Sequence, residues 1–443
     1  MSVRRFLGHY RGFGRDARLF LVSTLFASGA IALFWINFNL YLSSLGVDTS
    51  TIGLIATVGA ISSAAAALPA SVLSDRIGRR LAMVVGSVLV AIALGGFLFS
   101  AALPLIFAMA VLYNVGQQIR LVPSSPFMTE HSQPERRNEL FALQFAVVNA
   151  SQVIAALVGS ALAAVFVAAS GATPDSPETH RLLIVVMLAL TLISTAILLW
   201  LRDDRGAAPS HTVPTPSTEP GAARLTATRI RARLGRLGLH VGDPKLFAKL
   251  VFPGFIISIG AGQVLPFLNL YIVGRFNLDL TATNLIFSVT AFGTMIAILI
   301  QPALARRFGR IGSVVIVQGA SIPFLIVLGF APFVGLVVVA MAVRNALMNA
   351  SNPIFNAFAM DQVKPLERAT VAATMTLLWS AGWAIGGIYY AAVQDALGFS
   401  RGYDVAFLTI VVLYTIATSL YWIWFGRTER GLQQAAAPTG ETT

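Results

Sequence analysis

The sequence contains no cysteine, which excludes disulfides, thiolate metal ligands and thiol nucleophiles. It has only three lysines (Lys245, Lys249 and Lys364), and none follows a glycine-rich loop. A phosphate cradle of the Walker type is therefore missing, and ATP is not the expected energy source. Charge is scarce: 11% of the 443 residues are charged, while 56% are hydrophobic. An ordinary soluble domain is charged at about a quarter of its positions. Too little polar surface exists to wrap this much apolar side chain in water, so the excess faces lipid.

What is abundant is the long apolar run. About 30 Å of hydrocarbon needs roughly 20 residues at helical rise. Twelve runs meet that length, at 19–43, 51–74, 81–102, 104–129, 139–170, 181–201, 246–273, 281–304, 312–330, 332–360, 368–395 and 402–426. The expected fold class is an all-α membrane protein with 12 transmembrane helices. The net charge of +12 is carried almost wholly by arginine. With the N-terminal arm in the cytoplasm, 26 of the 31 basic residues fall on the cytoplasmic side. Arg181, Arg275 and Arg401 fall outside, and Arg120 and Arg344 lie within spans. By the positive-inside rule both termini are cytoplasmic. The first span is too long for a cleaved signal peptide and lacks a small-residue cleavage site, so it is expected to stay as a membrane helix.

Composition divides the chain into an arm (1–18), a first bundle (19–201), a linker (202–245), a second bundle (246–426) and a tail (427–443). His211 to Gly221 reads as disordered linker. Beyond it Arg229, Arg233 and Arg236 recur at helical spacing beside Ile230, Leu234 and Leu237. That pattern fits a helix on the anionic leaflet and equally a solvated basic linker; Gly235 and Gly238 weaken the helix. The two bundles repeat each other at an offset of about 230. Asn39-Leu40-Tyr41 returns as Asn269-Leu270-Tyr271, and Arg76-Ile77-Gly78-Arg79 as Arg307-Phe308-Gly309-Arg310. Asn114 returns as Asn345, and Met128 with Pro134 to Arg137 as Met360 with Pro365 to Arg368. Matches in chain order at one offset indicate a duplication, a parallel repeat about an axis along the membrane normal.

The loop between spans two and three reads Ser71-Val72-Leu73-Ser74-Asp75-Arg76-Ile77-Gly78-Arg79-Arg80. It resembles the cytoplasmic signature of the major facilitator superfamily, G-x-x-x-D-R-x-G-R-[RK]. Ser71 replaces the usual glycine, and Arg306 stands in the second copy where Asp75 stands in the first. Gly78 permits a left-handed turn. Asp75 can meet a helix N-terminus or a basic partner, and Arg79 and Arg80 can reach Glu130 and Glu135. The resemblance implies two six-helix bundles related by a pseudo-twofold axis. It also implies that Asp75, Arg76, Gly78, Arg79, Arg307, Gly309 and Arg310 hold the cytoplasmic gate shut in the outward-facing state. The plainer reading is a topology signal.

All 19 acids can be placed, and none lies deep in a span. The histidines sit in loops or arms, so no mid-membrane proton carrier of the usual kind is present. Glu130 and Asp361, at equivalent span ends, are the positions for proton coupling, or else helix-end charges paired with Arg136, Arg137 and Arg368. Arg344 and Arg120 each cost about 2.5–3.5 kcal/mol at the centre of a membrane helix, so each must face a cavity, water or a partner. The guanidinium fork suits carboxylate and phosphate; the structural alternative is a bond to carbonyls at a helix break. Asn345, Asn349, Asn352 and Asn356 share one helical face, as do Asn114, Gln118, Leu121 and Ser125. In the family that the loop resembles, spans one, four, seven and ten surround the central path, which implies that these stripes line it. Asn37, Asn39, Tyr41, Gln263, Asn269 and Tyr271 join them from spans one and seven, and Trp379 and Trp383 offer an aromatic wall. Polar residues between membrane helices also serve as glue.

Span five has Ala155-Ala156 where the family's drug antiporters carry a glycine-proline pair, and Ala110 stands near the place of their span-four arginine. The expected function is therefore secondary transport of a small organic solute, anionic or amphipathic, by alternating access, in the direction of efflux. The alternative is a proton-coupled multidrug exporter of lipophilic compounds. A channel would want a filter or a ring of like charge, a receptor has no need of a duplication with latches, and an enzyme would need convergent catalytic groups. No cofactor and no metal is expected. The expected partners are the solute and membrane lipid, with no nucleic acid and no obligate protein partner. The expected state is a monomer in a bacterial plasma membrane.

Overall fold

Inside a bilayer a backbone polar group finds no water, so a long apolar run must satisfy its own amides as a helix. The computed structural model describes residues 13–133, 136–202, 243–308, 310–364 and 367–436, and among these no strand occurs. The first half comprises α1 (Arg15–Ser44), α2 (Thr49–Ile77), α3 (Arg79–Phe99), α4 (Leu103–Leu121), α5 (Ser124–Glu130), α6 (Arg137–Ser170) and α7 (Pro177–Leu199). The second comprises α8 (Pro244–Val264), a 3-10 turn (Leu265–Phe267), α9 (Leu268–Phe276), α10 (Leu280–Phe308), α11 (Arg310–Phe330), α12 (Val334–Asp361) and α13 (Arg368–Ala436).

These helices make twelve crossings, as the apolar runs require. The expected span 104–129 is one crossing in two pieces, α4 and α5, because Pro123 has no N–H to continue the ladder. Span seven is broken in the same way at Pro266, between α8 and α9. The 69 residues of α13 are two crossings. At 1.5 Å per residue they would otherwise run to about 100 Å. The break is Gly398, with φ 70° and ψ −177°, a conformation closed to side chains with a Cβ. It falls between the two expected spans.

Within the first half α1 packs on α6 and α7, α3 on α4 and α7, and α2 on α4. Within the second, α8 packs on α13, and α11 and α10 both pack on α12. Two seams join the bundles, α2 against α13 and α6 against α10. Exchange of the halves turns one seam into the other, as the pseudo-twofold repeat demands. Arg15, the Asp75–Arg80 loop, Glu130 and Asp361 all lie on one face of the molecule, hereafter the loop face. The turns at 45–48, 171–176 and 277–279 lie on the far face.

Asp48 begins α2. Its carboxylate accepts from the Thr51 N–H (2.8 Å) and from the Ser50 hydroxyl, and these bonds hold its pKa down at about 2. The duplication is visible in the packing of two tyrosines. Tyr41 donates to the Phe97 carbonyl (2.7 Å), and Tyr271 donates to the Gly329 carbonyl (2.7 Å). The segment 203–242, including the basic stretch around Arg229, lies outside the described residues. So do Gly309, the side chains of Arg307 and Arg310, and that of Asn352.

Candidate functional site

A cavity of about 390 Å³ opens between the bundles. Its polar groups come almost entirely from the first half: Asn39 on α1, Ser63 on α2, and Asn114, Gln117, Gln118 and Arg120 on α4. The second half contributes Gly262 on α8, Phe267 of the 3-10 turn, and Trp379, Ser380 and Trp383 on α13. No acid is among the lining residues.

Tyr113, Gln117 and Arg120 recur at i, i+4 and i+7 and so share one face of α4. Gln117 donates to the Tyr113 hydroxyl (3.0 Å), and Asn114 donates to the Ala110 carbonyl one turn back (2.9 Å). Among the described residues Arg120 makes neither ion pair nor hydrogen bond, and its charge meets only the Tyr113 hydroxyl electrostatically. Behind it, inside the first bundle, lies a void of about 10 Å³ bordered by Gln117, Thr191 and Ser194. That is close to the space of a single water. Arg120 therefore stands between a water-sized hole and the cavity, with no anion among the described residues to neutralise it.

Both bundles contribute aromatic rings to the cavity. Trp383 meets Trp35 of the first bundle edge-on, with ring centroids 5.7 Å apart, and Trp379 lies 6.4 Å from Trp383. Phe34 stacks on Tyr113 at 3.8 Å. The position of Trp383 depends on close backbone approach of α8 and α13: a Cβ on Gly262 would lie 2.6 Å from the Trp383 Cα. The Trp383 indole N–H is buried and has no acceptor.

Toward the far face the cavity is closed. Asn39 donates to the Pro266 carbonyl (2.5 Å), and Asn269 donates to the Ile36 carbonyl (2.7 Å). Beside them Asn37 and Asn284 form a reciprocal amide pair between α1 and α10 (3.0 and 3.2 Å), and both residues are buried. Ser160 on α6 donates to the Thr281 carbonyl of α10 (3.0 Å). Among the cavity's lining residues, Leu121 and Trp379 are 62% and 40% exposed. Arg79 binds Asp75 and approaches Glu130 at 3.5 Å, both in its own bundle. Arg80 donates to the Leu198 (3.3 Å) and Leu199 carbonyls at the end of α7. Gly78 has φ 95°, the turn its position called for, and Arg76 is exposed.

Of the residues singled out from sequence, Asn39, Asn114, Gln118, Arg120, Trp379 and Trp383 line the cavity. Others do not. Arg344 is 3% exposed and points into the second bundle, where it donates to the Tyr414 hydroxyl (2.8 Å) and to Asn345 Oδ1 (2.9 Å). That arrangement matches the structural alternative weighed for Arg344 from sequence, with a partner on α13. Tyr41 and Tyr271 are 1% exposed struts inside their bundles, since two residues along a helix from Asn39 or Asn269 turn a side chain to the opposite face. Asn269 serves the far-face closure. Asn345 is held by Arg344, and Asn349 is exposed and donates to its own helix at the Asn345 carbonyl (2.9 Å). Glu130 and Asp361 sit at helix ends on the loop face, away from the cavity. Sequence reading passed over Gln117, Tyr113, Ser380 and Asn284. The first two could have been found by stepping back one and two turns from Arg120.

The family model described as Major Facilitator Superfamily matches residues 20–387. No curated protein matches the sequence. Among solved structures, the nucleoside transporter NupG is similar with a TM-score of 0.73 at 14% identity, covering 93% of this chain and 100% of that one. A bacterial homolog of the human lysosomal transporter Spinster, inward-facing and unoccupied, gives 0.69 at 15%, covering 97% and 99%. A D-xylose–proton symporter gives 0.70 at 13%, covering 92% and 96%.

Proposed function

The chain belongs to the major facilitator superfamily, and from that membership we propose that it is a secondary transporter of small organic anions, working by alternating access. The observation that carries the anionic substrate is the unpaired Arg120 guanidinium in a cavity lined by no acid. An arginine in low dielectric without a counter-ion attracts one, and its fork can take both oxygens of a carboxylate. The same reading from sequence rested on Arg344; the Tyr414 and Asn345 bonds of that residue move the anchor to Arg120.

The lysine and arginine bias makes the loop face cytoplasmic. The cavity then opens inward; efflux across a plasma membrane is the direction and place we propose from the sequence reading. The loop-face signature serves as the latch of the opposite state, with Asp75 and Arg79 released to bind the second bundle when that face closes. Glu130, close to Arg79, and Asp361 are the positions where a proton would be coupled.

The experiment is counterflow in reconstituted vesicles. Vesicles preloaded with benzoate should accumulate labelled benzoate with the unaltered protein and fail to do so with Arg120→Gln. Equal flux in both would remove the anion from the reading. The aromatic wall gives weight to a second reading, export of uncharged lipophilic compounds. Transport of a neutral dye unaffected by Arg120→Gln would establish it.

A further inference from the structure

The cavity is not uniform. The first bundle supplies the cation and the amides of α4 together with Phe34, Trp35, Phe38 and Tyr113, while the second supplies two indoles, a phenyl ring and a single hydroxyl. The two poles face each other across the space through which the bundles must move. A solute that satisfies both needs a charge at one end and a polarisable flat surface at the other.

Building on the organic-anion reading, we infer that the solute is an aromatic monoanion, a fused-ring or aryl carboxylate. Its carboxylate sits on Arg120, and its ring lies against Trp379 and Trp383. Four observations carry this. Among the described residues, Arg120 is the one basic side chain lining the cavity, so one negative charge is matched and a second would be left without a partner. Trp35, Trp379 and Trp383 form a continuous run of rings with neighbouring centroids 5.7 and 6.4 Å apart, a surface that rewards stacking over simple burial. The Trp383 indole N–H is buried with no acceptor in the protein, and a buried indole normally has one. The volume of about 390 Å³ suits a molecule of two fused rings better than a short-chain acid.

Occupancy by such a solute links the bundles. A carboxylate on Arg120 of α4 and a ring against Trp35 of α1 and Trp379 and Trp383 of α13 touch both bodies. Trp383 is then a specificity-determining residue.

The test uses full-length protein in nanodiscs and isothermal titration with three probes of similar size. Naphthoate has charge and ring, decalin carboxylate has charge alone, and naphthyl methanol has ring alone. Naphthoate should bind roughly tenfold more tightly than either of the others. Trp383→Leu should erase the preference for naphthoate over decalin carboxylate, Trp383→Phe should keep most of it, and Arg120→Gln should erase the preference for naphthoate over naphthyl methanol. A monodisperse, cooperatively unfolding sample confirms that each variant is folded. Equal binding of naphthoate and decalin carboxylate to the unaltered protein overturns the aromatic assignment and leaves the anion reading intact. Equal binding of naphthoate and naphthyl methanol, unchanged by Arg120→Gln, overturns the anion reading itself. Loss of ring preference in Trp383→Leu but not in Arg120→Gln supports the assignment as stated.

Discussion

Asn39 and Asn269, 230 residues apart, clasp each other's helices: each amide donates to a main-chain carbonyl three residues upstream of the other. Asn39 takes Pro266 and Asn269 takes Ile36, and the two side chains lie 3.4 Å apart. One ancestral asparagine, duplicated, thus closes the far face by bonding to its own copy's helix across the pseudo-twofold axis. Opening that face requires both bonds to break.

Replacing either asparagine should therefore favour the far-face-open state. A polar contact between membrane helices is worth about 0.6 kcal/mol, which is roughly a threefold population shift for Asn39→Ala or Asn269→Ala. The double variant should shift further. Because the protein has no cysteine, a single cysteine introduced at Ala56 on the cavity wall can be labelled with maleimide from the far face. Unchanged labelling in the double variant would sink the clasp.

Arg344 should behave as a packing residue. Removing it leaves the Tyr414 hydroxyl buried without its donor, a loss of about 1–3 kcal/mol. Arg344→Gln and Tyr414→Phe should each lower the unfolding temperature, and their effects should be non-additive, because the pair is in contact. Benzoate affinity should stay unchanged in both. A selective loss of affinity in Arg344→Gln, with normal stability, would return that residue to the solute path.

Acid should favour closure of the far face. Asp175, in the turn between α6 and α7, takes the Leu280 N–H of the second bundle and faces Asp279. Partial burial and, next, the Asp279 charge push its pKa up, so the protonated form is the one preferred in the closed arrangement. Separating the bundles relieves both effects. Falling pH then stabilises the closed face, and rising pH through the Asp175 titration releases it. Far-face labelling should increase with pH, and Asp175→Asn should flatten that dependence; a profile identical to the unaltered protein would count against it.

Asp75→Asn should leave the present arrangement standing, since Arg79 still has Glu130 at 3.5 Å. The loop-face-shut state should weaken by about two- to threefold, the scale of an exposed ion pair. A cysteine at Ser63, on the cavity wall, should become more reactive from the loop face. No change there would mean that the signature loop fixes topology alone.

Much of this protein is a consequence of its sequence alone. The apolar runs had to be helices, because lipid offers the backbone no other partner. Gly78, Gly398, Pro123 and Pro266 mark where those helices turn or break, although Pro69, Pro253 and Pro323 lie inside helices that continue. The duplication, written as Asn39 and Asn269 or Tyr41 and Tyr271, is legible without coordinates. What sequence could not decide was direction around each helix axis. Arg120 and Arg344 lie on the same flank of similar amide stripes, and periodicity gives each a depth and a relative face but no neighbour. Tyr414, 70 residues further along the chain, accepts a hydrogen bond from Arg344, and among the described residues no tyrosine, amide or acid does so for Arg120. The fold brings Tyr414 to the one arginine, while the other, on α4, lines the cavity between the bundles.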